Sequence, residues 1–305
     1  MIGSKTSAIP LGLNLSFCVK RWVTPELWAP LVHERLGIDL VQMSFDLVDP
    51  MWPDDVLDDC AKEVRQTADR YAITIHSAFI GLAHYTFNQL LHPNPRVRDV
   101  AEAWMRRAYR FAALAGIKRV GGPVGAIASR LDGVEAESIP AADYDDLIVR
   151  LGRLSLAAKE AGIIELYIEP TPLRREWPWT IAQADRMARD LGNTPIPWKY
   201  CVDWGHGTFE PLYGRYRASM AEWFVGLAPH IGMVHLQQTD FQYDRHWDFS
   251  EPGAVNPNDA ARLQRECGLA SRPVFLEVFY PFERDDASIL KALAHTISLL
   301  KPAFA

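Results

Sequence analysis

An α/β chain closing as a single (β/α)8 TIM barrel over residues 1–305 is the fold this sequence predicts, on three observations. Apolar, β-branched runs alternate throughout with amphipathic stretches, the pattern of a parallel sheet with helical crossovers. Four successive runs, IIELYIE (163–169), YCVD (200–203), MVHL (233–236) and VFLE (274–277), each carry a polar residue at or next to their carboxyl end. The first run leads into CVKRW and not into GxGxxG, so the fingerprint of an open dinucleotide-binding sheet is missing.

Taken in order, the first four strands are read at LGLNLSF (11–17), LVQMSFD (40–46), AITIHSAF (72–79) and KRVGGPV (118–124), ahead of the four runs above. Helices are expected near 25–36, 54–70, 95–116, 143–162, 180–192, 217–229, 257–268 and 285–300. Thr24-Pro25-Glu26, Pro53-Asp54-Asp55 and Asn256-Pro257-Asn258-Asp259 are start signals, and Gly37, Gly116, Gly162 and Gly268 are stop signals. The long aperiodic stretches 80–95, 125–142, 170–180 and 238–256 all follow strands, on the side where a barrel builds its site.

Composition narrows the function classes. Hydrophobic residues make up 49% and charged residues 23%, the balance of an ordinary soluble domain. A formal net charge of −6 gives no basic stripe for nucleic acid, and no apolar stretch reaches the ~20 residues of a membrane span. Cys18, Cys60, Cys201 and Cys267 lack CxxC spacing, and the N-terminus lacks a secretion signal. A cytoplasmic protein with reduced thiols is the expectation.

The four polar strand ends are Glu169, Asp203, His235 and Glu277, separated by 34, 32 and 42 residues (203 − 169, 235 − 203, 277 − 235). Alone, each would read as a strand cap, an arginine partner or a core histidine. One βα unit takes about 30 residues or more, so together they fall one per unit at a common mouth. Three carboxylates and one imidazole suit one divalent ion, Mn2+ first, with Mg2+ and Co2+ as alternatives. Around them, His206 follows Asp203 in DWGHG, Lys20 and Arg21 follow the first strand, and Arg174 and Arg175 the fifth. Arg245, His246 and Trp247 follow the seventh, with Arg245 the most specific candidate for a phosphate. Trp22, Trp177 and Trp179 read equally as pocket walls or packing, and His76 in the third run as core or mouth lining.

The segments IEPTPL, CVDWGHG, VHLQQTD with DRHW, FLEVFYPFE, NLSFCVKRW and YTFNQLLHPNP resemble the xylose isomerase-like barrel superfamily of sugar isomerases and epimerases. They are most similar to its branch that epimerises tetrulose phosphates, such as erythrulose phosphate, in erythritol and threitol breakdown. The resemblance covers nearly the whole chain. It implies a divalent metal on Glu169, Asp203, His235 and Glu277, with Glu169 and Glu277 also acting as acid and base on a cis-enediolate. Phe241-Gln242-Tyr243 departs from the smaller, polar segment expected there, a change that would reshape the pocket.

The leading expectation is a metal-dependent epimerase or isomerase of a short ketose or ketose phosphate, without nucleic-acid or membrane partners. The alternatives are a metal-dependent lyase or hydrolase of sugar derivatives, such as C-glycoside cleavage, and a non-catalytic sugar-binding barrel. Epimerisation, aldose–ketose isomerisation and homo-oligomer formation stay open at this level.

Overall fold

The computed structural model describes residues 7–133, 139–207 and 218–305. Eight parallel strands close in sequence order, with β8 returning to β1. They are β1 Leu11–Asn14, β2 Leu40–Ser44, β3 Thr74–Phe79, β4 Arg119–Gly122, β5 Glu165–Ile168, β6 Trp198–Asp203, β7 Ile231–Leu236 and β8 Val274–Leu276. Around them run α1 Pro25–Pro30, α2 Asp54–Arg70, α3 Leu82–Tyr85, α4 Pro95–Leu114, α5 Ala141–Glu160, α6 Ile181–Asp190, α7 Trp204–Gly207, α8 Met220–Leu227, α9 Pro257–Glu266 and α10 Asp286–Phe304.

Local signals explain most helix ends. Thr180 with Gln183 and Ser219 with Glu222 form reciprocal capping boxes, while Asn94 and Asn256 cap helices that open on proline. Gly162 follows α5 at φ +80°, a conformation that favours glycine. Two expected elements end early. The first strand stops at Asn14, whose side-chain oxygen takes the Ser16 N–H and turns the chain into a short 3-10 segment. The helix expected over 25–36 changes to a wider π-type turn after Pro30, which cannot donate a backbone hydrogen bond. The one-turn helices α3 and α7 lack the sequence periodicity that reveals longer ones. Residue 217, the first of the helix expected at 217–229, lies outside the described residues.

The main core fills the space between strands and helices, with Trp28, Phe111, Leu147, Phe224 and Leu293 all fully buried. A second, smaller cluster, Phe79, Tyr167, Cys201, Met233 and Phe275, occupies the barrel lumen. The register pairs Cys201 with Met233 and Asp203 with His235, two residues further along each strand. Strand side chains alternate with period two, so an apolar layer lies directly beneath a polar one. Among the described residues, no helix is long and apolar enough to cross a membrane.

Candidate metal centre

The polar layer gathers Glu169, Asp203, His235 and Glu277, with one ligating atom from each lying within 4.8 Å of the others. Their exposures are 4%, 0%, 0% and 6%. Glu169 and Glu277 sit one residue past β5 and β8, while Asp203 and His235 lie within β6 and β7. Unit charges about 4 Å apart interact by about 4 kcal/mol at an effective dielectric of 20, so ionised carboxylates this close need a cation.

Each ligand candidate is oriented by polar neighbours. His235 Nδ1 faces Glu169 Oε1 at 3.0 Å and Glu277 Oε2 at 2.9 Å. Its Nε2 lies 2.7 Å from Gln42 Oε1, an acceptor that requires a proton there and directs Nδ1 to the carboxylates. Gln42 is fixed in turn, accepting from Asn14 Nδ2 and donating to Ser77 Oγ. Asn14 Nδ2 also donates to Glu277 Oε1 at 2.8 Å. Asp203 Oδ1 accepts from the N–H groups of Gly205 and His206 and from Gln237 Nε2. Gly205 permits that approach, because a Cβ there would overlap the Gln237 side chain.

Among the described residues, Asp203 Oδ2 is buried without a hydrogen-bond partner. A buried polar atom in that state costs about 1–3 kcal/mol or more, and a cation at the cluster offsets it. The residues therefore fit a divalent ion bound by hard oxygens and one imidazole nitrogen. Burial raises the Glu169 carboxyl above the usual carboxylate range, despite the opposing pull of His235 and His206. Burial pushes Glu277 the same way, but His235, His246 and His206 outweigh it and lower Glu277.

A pocket opens above the cluster, with Glu169, Glu277, Thr171, His206, His246 and Tyr85 in its wall. His206 Nε2 lies 3.0 Å and His246 Nε2 3.1 Å from opposite oxygens of Asp244. Burial would lower His246, yet Asp244, Glu277 and Asp203 push it up to about 9. Tyr85 OH donates to the buried Glu176 at 2.6 Å. A larger hollow between the β2–α2 loop and α4 is walled mainly by Phe45, Met51, Trp52, Phe87 and Trp104. Its Asp46 carboxylate accepts from the Leu82 and Ala83 N–H groups, and among the described residues no ligand cluster falls there.

Of the outer candidates, His206 and His246 reach the pocket wall, and among its described lining they are the basic side chains. The others go elsewhere. Arg245 commits Nε and Nη2 to Asp240 and lies 4.6 and 4.7 Å from the centroids of the Tyr243 and Trp247 rings. Arg21 holds the β8–α10 loop through Asp286 and the carbonyls of Pro281, Phe282 and Arg284. Lys20 sits 4.1 Å from the Phe282 ring centroid, and Arg175 donates to Ser129 Oγ. His76 packs on Phe275 and Tyr167 inside the barrel, where burial, helped by Arg119, lowers it to about 3. Phe241 packs against the main core and Tyr243 covers Arg245, so neither lines the pocket. The sequence reading missed Asn14, Gln42, Gln237 and Glu176. The available signal was Asn14 and Gln42 as polar breaks inside apolar strands.

A family model described as xylose isomerase-like TIM barrel matches residues 32–299. A putative xylose isomerase from Rhodospirillum rubrum ATCC 11170 superposes with TM-score 0.90 at 36% identity, over 96% of this chain and 99% of that one. D-psicose 3-epimerase from Clostridium cellulolyticum H10, solved with D-tagatose, superposes with TM-score 0.74 at 13% identity, over 97% and 99% of the two chains. D-erythrulose 1-phosphate 3-epimerase of Brucella abortus (strain 2308) is 21% identical over 97% of this chain and 96% of that protein.

Proposed function

The chain belongs to the xylose isomerase-like TIM-barrel family, and from that premise we propose that this isomerase-type enzyme is a metal-dependent ketose 3-epimerase. The observation that carries the reading is a pair of buried glutamates reaching one imidazole nitrogen, at 3.0 and 2.9 Å, beside an aspartate oxygen without a donor among the described residues. The ketose 3-epimerases among its relatives support the same reaction class.

A divalent ion on Glu169, Asp203, His235 and Glu277 supplies charge stabilisation for substrate oxygens that become negative. The C–H beside a ketose carbonyl is acidic, and inversion at that carbon removes a proton from one face and returns one to the other. Glu169 and Glu277 enter the pocket from β5 and β8 and serve as the two proton carriers. In this reading His206 and His246, in the pocket wall, hold substrate hydroxyls or an anionic group.

Gln42 positions His235 without being a ligand. Gln42→Leu removes the acceptor for Nε2 and is expected to weaken Mn2+ binding by about 10–100-fold. Isothermal titration of the metal-free protein reads this directly. Unchanged affinity would remove Gln42 from that role.

The finer reading is a short ketose phosphate, and a tetrulose phosphate above all. It draws support from the Brucella relative's substrate, while Arg245, turned to Asp240, lends it none. The deciding experiment incubates Mn2+-loaded protein in D2O with tetruloses, pentuloses and hexuloses, free and phosphorylated. Deuterium at C3 with formation of the C3 epimer is the expected result, with highest kcat/KM for the phosphorylated tetrulose. Faster turnover of free sugars would overturn the phosphate preference. Deuterium on the adjacent carbon of an aldose product would replace epimerisation by isomerisation, and no exchange with any ketose would overturn the function.

A further inference from the structure

We propose that the barrel lumen offers a second, deeper position for thiophilic divalent ions, formed by Glu169, Cys201 and His235. This position rests on the reading of the four-residue cluster as a metal centre, with which it shares two ligands. Cys201 faces the lumen two residues before Asp203 on β6, in the layer directly beneath the carboxylates. One ligating atom from each of Glu169, Cys201 and His235 lies within 4.8 Å of the other two. The three residues are 4%, 0% and 0% exposed, and the thiol is free of any disulfide.

Two layers of different hardness thus share Glu169 and His235. Oxygen-seeking Mn2+ or Mg2+ gains from Asp203 and Glu277 in the upper layer, whereas Cd2+ or Zn2+ gains from sulfur below. Binding there breaks the Cys201 S–H bond, forms a sulfur–metal bond and releases the proton to solvent, with no change of oxidation state. Thiophilic ions would then compete with Mn2+ for the shared ligands from a position below the substrate pocket.

The test titrates the metal-free full-length protein separately with Cd2+ and Mn2+. The expected result is a sulfur-to-cadmium charge-transfer band in the ultraviolet, absent in Cys201→Ser, which binds Cd2+ at least about tenfold more weakly. Mn2+ affinity stays within about twofold, because the upper oxygen ligands are untouched. X-ray absorption on the wild-type cadmium complex needs no variant and should show one sulfur in the first coordination shell. Binding of Cd2+ at one equivalent with no sulfur neighbour, or a band that persists in Cys201→Ser, overturns the proposal while leaving the upper site standing. Failure to bind either ion overturns both.

Discussion

Asp203→Asn and His235→Ala are each expected to strip the protein of its divalent ion while the barrel survives. Asp203 Oδ1 already accepts from two backbone N–H groups and Gln237, so an asparagine there keeps its carbonyl oxygen on those donors. The amide nitrogen then occupies the place of Oδ2 and presents a donor in place of a ligand. The substitution also removes one of three clustered carboxylates, which relieves repulsion in the metal-free protein and favours folding. His235→Ala deletes the imidazole nitrogen that two glutamates share. Its cavity costs stability, but the ring lies in the polar upper layer, and the apolar core between strands and helices is untouched. Elemental analysis after extensive dialysis reads metal content, and circular dichroism reads the fold. Full occupancy in both variants would refute the metal centre.

What was legible in the sequence follows from period and position. Buried parallel strands show as apolar runs, and a charged group at the end of such a run is costly unless something pairs with it. That logic led to Glu169, Asp203, His235 and Glu277, which the fold brings within 4.8 Å of one another. The outer shell was harder because it depends on which loop meets which. Arg245 carries no mark of its bidentate partner, although Asp240 is five residues away. Arg21 binds carbonyls more than 250 residues distant in the chain. His76 was unreadable for a different reason. The register between β2 and β3 shifts at Val41/Gln42, pairing Val41 with Ile75 and Gln42 with Ser77, so His76 is the extra residue and period-two counting fails there.

The two glutamates are expected to behave as an acid–base pair working on opposite faces of the substrate, so that Glu→Gln at either position blocks inversion but spares half of the proton traffic. Glu169 follows β5 and Glu277 follows β8, which places them on different sides of the ring with His235 Nδ1 between them. A single carboxylate confined to one side cannot remove a proton from one face and return it to the other. Glutamine keeps the side-chain length and a carbonyl oxygen but carries no proton between substrate and solvent. Loss of a general acid or base of this kind costs about 10²–10⁴ in rate, so each variant should fall by that factor in epimerisation. In D2O, the epimer whose C3 proton faces the surviving carboxylate should still exchange, and the other epimer should not, with the selectivity reversed between Glu169→Gln and Glu277→Gln. Metal content must be matched first, because each glutamate is also a proposed ligand and an empty site would silence both reactions. With metal matched, near-normal epimerisation by either variant would exclude the two-carboxylate mechanism, and exchange of both epimers by one variant would point to a single mobile base.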